Sequence, residues 1–126
     1  MNDRELLELA AKAAGINHLA WCDGLEALAV FHAPTKIWPN GYWDEESQWS
    51  PLTDDGDALR LAVRLGISVN FWDGFKQVIC RRHSDQENFE LHGVVGYGEG
   101  AGKEPTTENV RRAIVRAAAA IGEAMQ

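Results

Sequence analysis

The chain has 126 residues, of which 45% are hydrophobic and 25% are charged, and its formal net charge is −7. This length and composition indicate one folded domain, residues 1–126, and argue against a disordered chain. The acidic balance disfavours general nucleic-acid binding, because phosphate backbones repel negative charge. Two distant cysteines, no signal-peptide pattern and no long apolar run favour a cytoplasmic protein that does not bind membranes.

The first part of the chain predicts a helix, a strand and a long loop. Apolar residues at helical spacing predict an amphipathic helix over residues 3–14, with Gly15 as its C-terminal stop. A strand is predicted over residues 28–32, and Pro34 ends it because proline cannot donate to a ladder. Residues 34–52 then predict a long aromatic loop, and loops of this length are usually functional or mobile.

The second helix is predicted between Thr53, as its N-cap, and Gly66, as its stop. Its first turn is rich in aspartate, which the helix dipole favours there. The apolar residues expected on its buried side are Ala58, Leu59, Ala62, Val63 and Leu65.

The remaining residues predict a hairpin, a third strand and a long helix. Residues 67–72 and 75–83 alternate around a two-residue Asp73-Gly74 turn, which places Val69 and Phe71 on one face with Val78 and Cys80. Residues 89–95 predict another strand, and the last helix begins at Thr106 or Thr107. The order α-β-α-β-β-β-α predicts an α+β fold, an α/β/α sandwich with a mostly antiparallel three- to four-stranded sheet and three helices.

Two segments resemble a known family. One runs from Trp49-Ser50-Pro51-Leu52 through Asp54-Asp55-Gly56-Asp57-Ala58 to Gly66, and the other covers residues 111–122. Together they resemble the phage ABA sandwich domain, a family of small phage and prophage proteins of unknown function. Ser50 departs from the Trp-Asn-Pro-Leu that is common in that family. The resemblance implies an α/β/α sandwich and a phage or prophage origin, hence the host cytoplasm, and it transfers no catalytic residue.

The aromatic loop supplies the main candidate binding residues, Trp38, Tyr42, Trp43 and Trp49. Surface aromatics stack on bases and fill protein interfaces. The alternative is that two or three of these rings fold back over one face of the sheet and belong to the core.

Charged residues supply the other candidates. Arg111 and Arg112 lie in the N-terminal half of the last helix, where cations oppose the helix dipole. They either pair with acids, such as those of the second helix, or bind an anion such as a phosphate. Asp54 and Asp55 could contact a ligand hydroxyl, but their spacing does not match a calcium loop, so no metal is expected.

The sequence contains no complete catalytic pattern. The four histidines lack metal-ligand spacing, and the glycine-rich residues 96–103 do not match a phosphate-binding loop, so we expect no cofactor. The leading hypothesis is therefore a phage accessory protein, not an enzyme, that sequesters a small anionic nucleotide-like host immune signal as a homo-oligomer. The alternatives are a protein-interaction module that docks a host or virion protein through its tryptophan-rich loop, and a small nucleotide hydrolase that uses His83 or His92.

Overall fold

A computed structural model describes residues 1–99 and 104–125. Within these residues it contains three α-helices and six β-strands in the order α-β-β-β-α-β-β-β-α. The helices are α1 (Asp3–Ala13), α2 (Asp55–Leu65) and α3 (Thr107–Ala124). The strands are β1 (Ala20–Cys22), β2 (Ala27–His32), β3 (Tyr42–Trp49), β4 (Ile67–Trp72), β5 (Gln77–Arg82) and β6 (Gly93–Gly96). They form two antiparallel sheets, β1-β2-β3 and β4-β5-β6. The predicted α+β class is confirmed.

The predicted order lacked β1 and β3. Strand β3 lies in residues 34–52, where a loop was expected, and only residues 33–41 connect it to β2. Most of its side chains are exposed or half-buried, since it is an edge strand paired only with β2. Such a strand buries no continuous apolar face, so its sequence carries no period-two signal.

An irregular bulge in β3 also makes this strand difficult to recognise from its sequence. Between the pairs Leu28–Trp49 and Val30–Asp44 the register shifts, so β3 contains extra residues that face no partner. The Val30 amide donates instead to the Ser47 hydroxyl at 2.8 Å, and that hydroxyl donates to the Asp44 carbonyl at 2.6 Å. A side chain thus replaces the missing ladder bond.

Helix α2 begins one residue later than predicted. The N-cap is Asp54, whose carboxylate accepts a hydrogen bond from the Asp57 amide at 2.7 Å, and Thr53 lies outside the helix. Gly66 ends the helix with φ +67°, a left-handed conformation that glycine adopts without strain.

The buried side of α2 also differs from the prediction. Ala58, Leu61 and Ala62 face the core, whereas Leu59 and Val63 are 64% and 73% exposed. Apolar residues cover more of this helix than the neighbouring elements can bury, and periodicity alone does not say which stripe is covered.

The β4–β5 hairpin has the predicted faces but a longer turn. Val69 lies opposite Cys80 as expected for a shared face, although the loop contains four residues, 73–76, instead of two. The face assignment holds because a shift of two residues returns every side chain to its original side. The loop is anchored by Asp73, which accepts a hydrogen bond at 3.0 Å from the hydroxyl of the buried Tyr97.

The third strand of this sheet is shorter than predicted. Residues 89–91 form a 3₁₀ turn, and β6 begins only at Gly93. The alternating pattern places Phe89, Leu91, Gly93 and Val95 on one side of this strand; Gly93 and Val95 are buried, Leu91 is half-buried and Phe89 is exposed. Of the glycine-rich residues 96–103, residues 100–103 lie outside the described residues.

Helix α3 is at the centre of the core. It packs along α1 and α2 and against the β4-β5-β6 sheet, and its buried residues include four alanines. Two glycines permit this close packing: a Cβ atom on Gly122 would collide with the Leu9 carbonyl of α1, and one on Gly93 would collide with the Ala113 carbonyl of α3. Thr106 is the N-cap of α3. Within the described residues, no helix has the length and apolar character needed to cross a membrane.

Candidate functional site

Five aromatic rings gather at the end of the β2–β3 hairpin and form what we call the aromatic cluster: Phe31, His32, Trp38, Tyr42 and Trp43. His32 and Tyr42 stack with their centroids 4.5 Å apart, and Trp38 lies 5.3 Å from Tyr42. Phe31 and Trp43 pack at 5.0 Å as a directly opposed pair across the two strands. Neighbouring strand residues point to opposite faces, so the Phe31–Trp43 pair lies on one face of the hairpin end and the His32–Tyr42 pair, with Trp38, on the other.

The loop holds Trp38 in place through its backbone. The Thr35 amide donates to the Trp38 carbonyl at 2.9 Å, and the Trp38 amide donates to the Thr35 hydroxyl at 3.1 Å. Gly41 then returns the chain to β3 with φ +73°. A Cβ atom at this position would lie 2.5 Å from both the Phe31 ring and the His32 carbonyl oxygen. A side chain at position 41 would have no room, so glycine is required for the turn.

The aromatic cluster is largely exposed. Phe31, Trp38 and Tyr42 are 45%, 54% and 40% exposed, and Ile37 in the same loop is 83% exposed. Single exposed apolar side chains are ordinary, but several grouped together mark an interaction surface.

Carboxylates border this surface. Asp44, on the strand beside His32, has its Oδ2 atom 3.9 Å from the His32 Nε2 atom, and Glu45 and Glu46 follow it on the exposed bulge. The border is therefore acidic, and it complements a partner that carries basic groups around an apolar centre.

Trp49, the fourth predicted binding aromatic, lies away from the cluster. It ends β3, whereas Tyr42 and Trp43 begin it, and it is partly buried against the core. It lines a groove of about 490 Å³ with Ile16 and the exposed Leu59 and Val63. The sequence grouped Trp49 with the other rings because it could not show that a strand separates them.

Of the predicted charged residues, Arg111 of α3 and Asp55 of α2 meet each other. The Arg111 Nη1 atom donates to Asp55 at 2.5 Å, and its Nε atom donates to the Leu52 carbonyl at 2.9 Å. Arg112 donates to Asp3 at 3.2 Å. Both arginines thus pair with carboxylates, which is the first of the two alternatives that the sequence left open for them.

Asp54 is occupied as the cap of α2 and lies 3.7 Å from Arg60. Farther along α3, Arg116 pairs with Glu99 at 3.0 Å. Among the described residues, no group of three or more histidine, cysteine, aspartate or glutamate side chains could hold a metal ion.

His92, one of the two histidines of the hydrolase hypothesis, contacts a backbone carbonyl. The His92 Nε2 atom lies 2.9 Å from the Asp85 carbonyl, and Asp85 itself pairs with Arg82 at 2.7 Å.

Both cysteines are free and buried, and burial raises the pKa of Cys80 to about 12. A thiol with such a pKa is not a nucleophile at neutral pH.

Sequence reasoning missed Phe31, His32 and Ile37. Phe31 and His32 end the predicted strand directly before the aromatic loop, and that adjacency was the available signal.

The fold and the cluster define an α+β domain with an exposed aromatic surface. Comparison of the chain with protein-family models, curated proteins and solved structures finds no match.

Proposed function

We propose that this chain is a binding protein without catalytic activity, and that it docks a protein partner through the aromatic cluster. The observation that carries the proposal is the grouping of Phe31, Ile37, Trp38 and Tyr42, each at least 40% exposed, on one hairpin end. Aromatic side chains dominate the energetic centres of protein interfaces, because they bury much area and lose little conformational entropy.

The acidic border defines the chemistry of the partner. Asp44, Glu45 and Glu46 lie next to the rings, and the whole chain carries a net charge of −7. The partner should present an apolar pocket or ridge with lysine or arginine around it, since opposite charges at the rim speed association and reject wrong partners. In the phage or prophage setting that the sequence resemblance implies, this partner is a host or virion protein.

Sequestration of an anionic nucleotide receives less support from the geometry. Arg111 and Arg112, the cations predicted for it, pair with Asp55 and Asp3. The rings that could stack on a base are bordered by carboxylates, which repel phosphate. Both this hypothesis and the hydrolase hypothesis remain predictions.

Affinity capture tests the proposal. Wild-type protein, the Trp38→Ala/Tyr42→Ala variant and a matched Phe75→Ala control are used as baits in a lysate of cells that carry the gene. Phe75 is 69% exposed in the β4–β5 loop, so its variant removes an exposed ring from a different hairpin. Captured proteins are then purified and titrated by calorimetry.

We expect the double variant to bind a stoichiometric partner with a Kd about 30-fold higher or more, which is the effect of losing a hot spot worth ~2 kcal/mol. The control variant should bind the same partner with an unchanged Kd. Equal affinity of the double variant and the wild type for every captured partner would refute the proposal. Tight binding in a parallel calorimetric panel of cyclic and ADP-ribose-type nucleotides would favour the sequestration hypothesis instead.

A further inference from the structure

Helix α2 carries an uncovered apolar ridge that is separate from the aromatic cluster. Leu59 and Val63 are one helical turn apart, and 64% and 73% of their respective surfaces are exposed. A globular helix normally buries such an i, i+4 pair against its own core. Here Ala58, Leu61 and Ala62 already make that contact, so the α2 ridge, Leu59 and Val63, faces outward.

The α2 ridge has an apolar groove on each side. The groove described above, lined by Ile16 and Trp49, is about 490 Å³. The groove on the α3 side is about 410 Å³, and its walls come from α2, β4 and α3. Its apolar lining residues other than the ridge are Ala58, Ala62, Ile67, Val69, Val110 and Ile114. One surface therefore offers both a ridge and the grooves that a ridge fills, as in ridges-into-grooves helix packing.

Most of the charges beside the ridge are paired. The charged residues that line the two grooves are Asp55, Arg60, Arg64 and Arg111. Arg60 pairs with Asp57 at 2.8 Å, and Arg111 pairs with Asp55 across the α3-side groove. On a chain with a net charge of −7, this is a face that two copies can bring together without strong mutual repulsion.

We infer that the occupant of this face is a second copy of the same chain. In this dimer a two-fold axis runs roughly parallel to α2, between the two copies. One flank of α2 in each copy then faces the opposite flank of α2 in the other copy. The ridge of each copy then enters the groove beside the ridge of the other, and Val63 lies close to its own counterpart. Such an isologous contact closes on itself and gives a dimer. The inference does not depend on the proposed function, because the aromatic cluster belongs to a different part of the fold.

Sedimentation equilibrium and light scattering on the full chain test the dimer. We expect wild-type protein at about 100 μM to have twice the mass of the chain, and the Leu59→Glu/Val63→Glu variant to have the mass of one. Because both side chains are exposed in the single chain, the variant should keep its fold, which circular dichroism checks. The control Phe75→Glu introduces a glutamate at another exposed apolar position and should leave the dimer intact.

Cysteine cross-linking tests the geometry. Under mild oxidation, Val63→Cys should form a disulfide-linked dimer in high yield, whereas Phe75→Cys should not. A monomeric wild type, a dimer that survives the double glutamate substitution, or a dimer whose Val63→Cys variant does not cross-link would each overturn the inference.

Discussion

Arg111 of α3 and Asp55 of α2 are joined at 2.5 Å, while the same guanidinium donates to the Leu52 carbonyl just before α2. One side chain thus connects the start of the second helix with the first turns of the third. An arginine so near a helix N-terminus opposes the dipole, and these two bonds offset that cost.

The substitution Arg111→Met should lower the free energy of unfolding by ~1–2 kcal/mol, because methionine keeps the packing of the stem but loses the charged hydrogen bond to Leu52. Asp55→Asn should cost less than ~1 kcal/mol, since the Asp55 side chain is 69% exposed and solvent screens the pair. Urea unfolding of both variants and the double variant measures these values. If Asp55→Asn costs as much as Arg111→Met, the ion pair and not the carbonyl bond holds the contact.

Gly122 brings α3 against α1, and its replacement by alanine should be destabilising. Alanine is favoured over glycine in a helix by ~1 kcal/mol, but its Cβ atom would collide with the Leu9 carbonyl. Overpacking of this kind costs ~1–3 kcal/mol or more, so we expect a net loss of stability and a lower Tm. Gly74→Ala is the control, because the space around Gly74 is open. A Gly122→Ala variant as stable as the wild type would show that α1 can move away freely.

Cys80 should be inert in the folded protein. It is fully buried, and burial raises its pKa to about 12, so almost no thiolate exists at neutral pH. In a Cys22→Ser background, iodoacetamide should label Cys80 only as fast as the domain unfolds, and urea should accelerate labelling by orders of magnitude. Rapid labelling of the native Cys22→Ser protein, measured by mass spectrometry, would contradict the burial of β5.

Glu99 should make stability depend on pH in the acid range. Hydrogen bonds from Arg116 and from the Gly96 amide lower the pKa of Glu99 below its ordinary value of 4.5. Its stabilising contribution is therefore complete above the unfolded-state pKa, and it is lost as the pH falls through the lower pKa of the folded state. Hence the stability difference between wild type and Glu99→Gln should be largest at neutral pH and shrink below about pH 4.5.

The control for this experiment is Glu90→Gln, an exposed glutamate in the 3₁₀ turn before β6. Its stability difference from wild type should be small at every pH. Denaturant unfolding between pH 3 and pH 7 provides the comparison, and a Glu99→Gln difference that is constant across this range would rule out the pair as its source.

The helices were the most predictable part of the fold. Asn2, Gly15, Gly66 and Thr106 signal helix ends through local chemistry, and the residues between them repeat at 3.6-residue spacing. The β4–β5 hairpin followed from its alternation. Strand β3 could not be predicted, because an edge strand with a bulge exposes most of its side chains and shows no alternation.

The candidate site was predictable in its residue types but not in its grouping. The tryptophans and the acid-rich start of α2 stand out in the sequence. Strand β3 decides that Tyr42 lies beside Trp38 in the aromatic cluster while Trp49 lies at the opposite end of the strand, near α2. No local pattern contains this separation, since it depends on pairing with a distant strand.

By itself, the sequence determined the α+β class, the approximate positions of the three helices and the faces of one hairpin, because each depends on residues close together in the chain. Only the tertiary structure decided that Arg111 and Arg112 pair with carboxylates, that Leu59 and Val63 stay exposed, and that the rings from β2 and β3 meet. Those outcomes depend on which surfaces are left over after the core has packed, and that is a property of the whole chain.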